Sequence, residues 1–157
     1  MKSRMYSALL GVAAICCTAM ATVASAPAAF ADPSASTADL CTISYPTPDD
    51  AQLAASSVVS VEPGGAGSMN LTVKTDSQSD AGYDQNFTVN WSNLDTGRSG
   101  VADTTVRVQG ADTVYSIPDA VTQPGRIALV LGAHNHGLGE FDQYYTNGDC
   151  SVEYAAT

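Results

Sequence analysis

The segment from Gly132 to Asp142 contains the residues best suited to chemistry. It holds the only two histidines of the chain, His134 and His136, spaced so that both face one side of an extended strand. Glu140 and Asp142 follow closely. Imidazole and carboxylate groups that converge in this way are ligands for a divalent metal. The pattern therefore raises a metal-binding hypothesis, beside the plainer interpretation of a glycine-rich connection that carries polar residues.

Other short motifs offer less. The acidic loop Asp76–Asp84 has oxygen ligands suited to calcium, but its spacing does not match an EF-hand, so a solvated loop is favoured. Asp95-Thr96-Gly97 spells the short signature of aspartic proteases, yet it occurs once and also suits a hairpin turn. No serine-nucleophile elbow and no phosphate-binding glycine loop is present. We expect no catalytic residue, no cofactor and no enzymatic activity.

The N-terminus carries the features of an export signal. Lys2 and Arg4 form a basic start, and an apolar stretch runs from Ala8 to about Val23. Ala29-Phe30-Ala31 then supplies a small-residue cleavage site. An uncleaved anchor is the alternative, but the Ala-rich run is only marginally hydrophobic for a bilayer core of about 30 Å. The sequence predicts a signal peptide over residues 1–31 and a secreted or envelope-associated product.

Composition limits the partners of the exported chain. Cleavage after Ala31 would leave 126 of the 157 residues, the size of one domain. All 16 acidic residues lie after Ala31 but only four of the six strong bases do, which gives a net charge of −12. Nucleic acid and anionic membranes need a basic surface, so neither is expected as a partner. No later run is long and apolar enough to span a membrane.

Two cysteines, Cys41 and Cys150, remain near the two ends of the exported chain. In an oxidising compartment such a pair favours one disulfide. Closing a loop of about 110 residues would stabilise the fold by at most ~4–5 kcal/mol. Two free thiols or an intermolecular bond are the alternatives.

The spacing of turn residues predicts an all-β domain over residues 40–157, after a flexible leader over 32–39. Gly, Pro, Asn and Asp clusters recur about every ten residues and separate short runs rich in Val, Thr, Ile and Tyr. One short helix is predicted over Asp49–Ala55, where acidic residues follow Pro48. The predicted strands are 40–45, 57–62, 69–75, 84–91, 101–108, 112–117, 126–133, 141–146 and 150–155.

Alternation identifies the inward faces of the strands. Phe87, Val89 and Trp91 share one face, and the intervening polar residues share the other. The same argument places Leu71 with Val73, Val106 with Val108, and Ile127 with Leu129 and Leu131 in the core. The nearly continuous apolar run 126–131 predicts a central strand covered on both faces.

Near the C-terminus, Asn147-Gly148 predicts a hairpin with a type I′ turn. That register would place Tyr145 opposite Cys150, facing the core. Tyr144 would then point outward, where it is a candidate binding residue.

The middle of the chain resembles a bacterial immunoglobulin-like domain. The residues that carry the resemblance span roughly 57–108: Val58–Gly65, Leu71-Thr72-Val73, and Val89-Asn90-Trp91 with the segment Asn93–Gly100 after it. The resemblance implies an immunoglobulin-like antiparallel β-sandwich of about 7–9 strands with a binding or structural role. The two cysteines flank the whole domain, whereas the disulfide of an antibody domain joins two core strands.

We therefore expect a secreted non-enzymatic β-sandwich that serves as a binding or envelope-interaction module. Its partner would be a protein or a surface ligand, contacted through loops, with Tyr144 and segment 132–140 as candidates. Two alternatives remain open. One is a metal-binding protein centred on His134 and His136, and the other is a small secreted enzyme inhibitor.

Overall fold

A computed structural model describes residues 37–65, 67–137 and 145–157. The predicted signal peptide and most of the predicted leader lie outside these residues. So do three of the candidate site residues, Glu140, Asp142 and Tyr144.

The described residues form eight β-strands in two four-stranded sheets, so the all-β prediction is confirmed. The first sheet has the order β1-β2-β3-β6 and the second has the order β5-β4-β7-β8. Every neighbouring pair is antiparallel. The strands are β1 (Ala38–Pro46), β2 (Ala54–Gly65), β3 (Ser68–Ser77), β4 (Tyr83–Asn93), β5 (Ser99–Val108), β6 (Thr113–Val121), β7 (Gly125–Gly137) and β8 (Tyr145–Ala156).

The inward faces of the two sheets enclose one core, because side chains alternate between core and solvent along each strand. The alternation argument correctly places Phe87, Val89 and Trp91 inside, with Trp91 9% exposed and the other two fully buried. It also correctly places Leu71, Val73, Val108, Ile127, Leu129 and Leu131, which are all buried, whereas Val106 is only partly buried.

The segment 126–131 lies in β7, which is an inner strand of the second sheet. The prediction that both of its faces are covered is wrong, because Val130 points to solvent and is 45% exposed. Strand β7 has one buried face, but apolar residues on its exposed face gave its sequence the pattern of a strand that is buried on both faces.

The predicted turn at Asn147-Gly148 is also wrong. Both residues lie inside β8, where Asn147 pairs with His134 and Gly148 pairs with Ala133. A Cβ on Gly148 would come within 2.6 Å of Ile43 Cγ2, so this glycine allows β1 to approach β8 closely. The glycine is needed for packing between strands, and the turn preference of Asn-Gly is overridden.

The helix predicted over Asp49–Ala55 is absent from the described residues. Residues 47–53 instead form a turn closed by two backbone hydrogen bonds, from Thr47 N to Leu53 O and from Leu53 N to Asp50 O, each 2.9 Å long. Strand β2 then begins at Ala54 and pairs with the end of β1, so this stretch is the β1–β2 connection.

The predicted disulfide between Cys41 and Cys150 is present, with the two Cα atoms 6.6 Å apart. Cys41 lies on β1 and Cys150 lies on β8, which are edge strands of different sheets. The bond therefore joins the two sheets along one side of the sandwich, and it is compatible with an oxidising compartment. Across the described ranges, no helix has the length and hydropathy needed to cross a bilayer.

Candidate binding surfaces at one end of the sandwich

Among the described residues, three connections meet at the end of the sandwich where β7 ends and β8 begins. They are residues 47–53, 78–82 and 109–112, and we call this the loop end. Backbone hydrogen bonds join them to each other and to the strands, from Gln78 N to Ala54 O at 3.1 Å and from Gly110 N to Ser79 O at 3.0 Å. The loop end is therefore a connected structure rather than a set of separate turns.

A buried polar network fills the core beneath the loop end, with Gln85 of β4 at its centre. Gln85 Oε1 accepts hydrogen bonds from Tyr115 OH at 2.6 Å and from Thr75 Oγ1 at 3.1 Å. Its amide nitrogen donates to Tyr45 OH and to Asn135 Oδ1, the latter at 2.8 Å. The network joins both sheets, because Tyr45, Thr75 and Tyr115 belong to the first sheet while Gln85 and Asn135 belong to the second.

Burial shifts the ionisation of two tyrosines at this end. It raises the pKa of the Tyr83 hydroxyl well above its ordinary value near 10.0, and the hydrogen bond to Tyr45 adds to the effect. Burial likewise raises the pKa of Tyr115, although a hydrogen bond with Thr75 opposes it. Both tyrosines therefore stay neutral in the folded protein across the physiological pH range.

The two histidines lie on the outward face of β7, as their spacing predicts. His134 is exposed, and its Nδ1 forms a 2.9 Å hydrogen bond with Asn147 Oδ1 on β8. His136 is partly buried and stacks on Tyr145, with ring centroids 4.9 Å apart and an interplanar angle of 22°. Cross-strand pairs on β8 thus hold both imidazoles in place.

The metal hypothesis is only partly within the described structure. There, no three or more His, Cys, Asp or Glu side chains come together in a way that could hold a metal ion. Glu140 and Asp142, which would complete the predicted ligand set, lie outside the described residues. His134 and His136 share one face, but His134 contacts Asn147 through Nδ1 and Thr88 through Nε2, and Nε2 of His136 is buried. Metal binding by this pair requires these contacts to change, and the other ligands stay a prediction.

Tyr145 is a candidate contact residue that sequence reasoning placed incorrectly. The false turn at Asn147-Gly148 put it in the core, whereas the structure places it on the outer face of β8 with 65% of its surface exposed. Counting alternate positions back from Cys150 along one continuous strand would have placed it correctly. Tyr144, the predicted contact, lies outside the described residues.

The remaining motifs have structural roles in the described chain. Asp95 lies in the β4–β5 turn, where its carboxylate accepts a hydrogen bond from Arg126 N at 2.9 Å and pairs with the Arg126 side chain at 3.0 Å. These hydrogen bonds lower the pKa of Asp95. In the 76–84 loop, Ser79 Oγ donates to Asp49 Oδ2 at 2.7 Å and so ties this loop to the β1–β2 turn.

No protein-family model, curated protein or solved structure matches this chain.

Proposed function

We propose that this protein is a secreted, non-enzymatic, immunoglobulin-like β-sandwich that binds a protein or surface ligand outside the cell. The observation that carries the proposal is the exposed ring of Tyr145, held by stacking on His136 at the loop end of the second sheet. An aromatic ring whose orientation is already fixed loses little conformational freedom on binding, which is why such side chains anchor interfaces.

The strand order supports an immunoglobulin-like arrangement. In the constant-type domain, one sheet contains A-B-E-D and the other contains C-F-G. The order β2-β3-β6 matches A-B-E, and β4-β7-β8 matches C-F-G. Two differences remain. In the constant-type domain strand D pairs with strand E, which corresponds to β6, whereas here β5 pairs with β4 in the other sheet. In addition, β1 is an extra edge strand. Both differences leave the order of the six matching strands unchanged.

Secretion is supported by two separate features of the chain. The N-terminal order of basic, apolar and small-residue segments is that of a signal peptide. The disulfide between Cys41 and Cys150 is of a kind that persists in oxidising surroundings. Processing after Ala31 is the specific expectation, and N-terminal sequencing of the exported protein tests it.

Affinity capture from native envelope and medium tests the binding role. The bait is the exported protein, compared with Tyr145→Ala and with Val114→Ala, a matched control at an exposed position of the first sheet. We expect a partner that is retained by the wild type and by Val114→Ala but weakened about tenfold or more by Tyr145→Ala. Equal retention by all three proteins would show that this surface is not the contact.

Metal binding is a second candidate, favoured by the placement of His134 and His136 on one outward face of β7. Metal analysis of the purified protein and thermal shifts with zinc, copper and calcium test it. If metal binds, a His134→Ala/His136→Ala variant should lose the thermal shift. Absence of bound metal together with unchanged melting temperatures would exclude this candidate.

A further inference from the structure

A cleft of about 490 Å³ lies on the outer face of the first sheet at the loop end. Its volume is within the range typical of small-molecule sites. The floor comes from a row of paired positions across three strands, Ser44, Ser56 and Asp76. The wall comes from the 47–53 turn, which contributes Gln52 and Leu53. The cleft is on the opposite sheet from Tyr145, so it is separate from the contact surface proposed above.

Hydrogen bonds on both sides fix the wall of this cleft. Ala54 N donates to Gln78 Oε1 at 2.9 Å, and Gln78 N donates back to Ala54 O at 3.1 Å. Within the turn, Asp50 O accepts a hydrogen bond from Thr47 Oγ1 at 2.9 Å. The cleft therefore exists before any ligand arrives, and little ordering cost remains to be met on binding.

The lining has one charged group, the exposed carboxylate of Asp76. Within the described residues, no hydrogen bond or ion pair engages this carboxylate. The nearby Lys74 is paired with Asp112, with its Nζ 2.7 Å from Asp112 Oδ1. Asp112 is the main cause of the raised pKa of Lys74, and the charge of Asp76 contributes to a smaller extent. The described lining residues of the cleft thus offer one negative charge and no cation, in a chain of net charge −10. The cleft favours a cation and disfavours an anion.

The other lining groups define the rest of the ligand. The hydroxyls of Ser44 and Ser56 lie beside Asp76 in the same row and can accept hydrogen bonds. Pro46, Leu53 and three alanines provide apolar surface next to them. A primary ammonium on a short aliphatic chain matches both the polar row and the apolar surface of the cleft. The ammonium has three donors for the carboxylate and the hydroxyls, and the methylenes pack on the apolar side chains.

We propose that this cleft is a binding site for a primary alkylammonium group, carried either by a free aliphatic amine or by a lysine side chain. The ammonium contacts the Asp76 carboxylate and the two serine hydroxyls, and the alkyl chain lies along the Pro46 and Leu53 side of the cleft. The proposal does not rest on the Tyr145 surface, so either can fail without the other.

Isothermal titration of the exported protein with 1,5-diaminopentane tests the proposal, with 1,5-pentanediol and glutarate as the neutral and anionic analogues. A lysine blocked at both ends as amides is a third probe, and it separates a lysine side chain from a free amine. We expect saturable binding of the diamine, of the blocked lysine or of both, weakened by added salt, and no binding of the diol or glutarate. Equal binding of all the analogues, or no saturable binding of either amine, would overturn the proposal.

Two variants locate the binding. Asp76→Asn should weaken amine affinity about tenfold or more, whereas Asp103→Asn, an exposed acid on the second sheet with the same charge change, should leave it within about twofold. Ser56→Leu should abolish binding by filling the cleft. Unchanged melting temperatures confirm that the variants fold. Binding that survives both Asp76→Asn and Ser56→Leu would place the amine elsewhere and overturn the proposal.

Discussion

The two ends of the sandwich interior are built from different chemistry on the same backbone frame. At the end away from the loop end, which we call the apolar end, the paired inward positions are Val61, Leu71 and Ile117 on one sheet and Trp91, Leu129 and Val152 on the other. At the loop end, the equivalent positions are Ser57, Thr75 and Thr113 facing Gln85, Asn135 and Thr146. At these paired positions the apolar end is filled by nondirectional packing, whereas directional hydrogen bonds join the two sheets at the loop end. The buried polar groups of the apolar end, Asn93 and Thr122, hydrogen-bond the carbonyls of the adjoining connections instead.

The difference bears on where function is found. Asn135 of the polar network lies between His134 and His136 on β7, with its amide in the core while their rings face out. Likewise, Tyr45 of the network lies between Ser44 and Pro46 on β1, with its hydroxyl in the core while these two neighbours line the cleft on the outer face. Directional bonds fix the rotation of a strand more sharply than packing alone does. The network therefore sets the direction in which both candidate surfaces present their side chains.

The largest effect is expected from removing the disulfide, which lies between the two ends and serves both. A Cys41→Ser/Cys150→Ser variant should lose about 4 kcal/mol of unfolding free energy, because the bridge joins residues that lie 109 positions apart in the chain. Guanidinium unfolding of the variant and the wild type measures the change. A loss well below 1 kcal/mol would mean that the two ends hold the sheets together without the bridge.

At the apolar end, Leu71→Ala should cost about 3 kcal/mol. Leu71 is fully buried between the sheets, so truncation leaves a cavity that the surrounding strands fill only in part. Urea unfolding provides the number. Val114→Ala, at an exposed position, should change stability by less than about 0.5 kcal/mol and serves as the control.

At the loop end, Gln85→Met should cost about 2 kcal/mol even though it keeps the side-chain volume. The substitution leaves the hydroxyls of Tyr115 and Thr75 and the amide oxygen of Asn135 without the partner they have now. Leu71→Met, which also keeps volume but breaks no hydrogen bond, should cost less and is the matched control. If the two methionine variants are equally stable, the contrast between the two ends has no energetic meaning.

The apolar end was also the more predictable one. Alternation placed Leu71, Trp91 and Leu129 in the core, since apolar residues at every second position indicate which face is buried. At the loop end the same phase puts Gln85 inside, but its polarity gives no such signal. Its partners lie 10 to 50 residues away in the chain, on four other strands. Local pattern cannot supply pairings of that range.

The two errors near the candidate surfaces have a similar cause. Asn147-Gly148 has the local preference of a turn, but contact between β1 and β8 requires the glycine in an extended strand. The acidic start at Asp49 suits a helix, yet Ser79 and the pairing of β1 with β2 hold the segment as a turn. In both places tertiary contacts outweigh local propensity.

Alkaline pH should weaken the loop end selectively. The pKa values of Tyr83 and Tyr115 are raised in the folded protein, so their contribution to stability is complete below the ordinary value near 10.0 and is lost as pH rises above it. At one pH unit above that value, each should reduce stability by about 1 kcal/mol. Absorbance of tyrosinate during a pH titration should show these two rings ionising only with unfolding. A Tyr115→Phe variant should show a smaller loss, and ionisation of all tyrosines near pH 10 in the folded protein would contradict the prediction.

Acid should produce the smallest effect on stability. Lowering the pH tests one aspartate at each end of the sandwich. At the loop end, burial opposes ionisation of Asp49, but hydrogen bonds from Ser79, Thr47 and backbone amides outweigh burial and lower the pKa of this carboxyl. At the apolar end, hydrogen bonds from Arg126 lower the pKa of Asp95. A lowered folded-state pKa gives stability that is present above the ordinary value near 3.8 and is lost as pH falls below it. Melting temperatures recorded between about pH 6 and pH 2 should therefore fall less steeply for Asp49→Asn and for Asp95→Asn than for the wild type. Asp80→Asn, at an exposed acid outside both sets of hydrogen bonds, is the control, and a wild-type slope in all three variants would show that neither carboxylate stabilises its end.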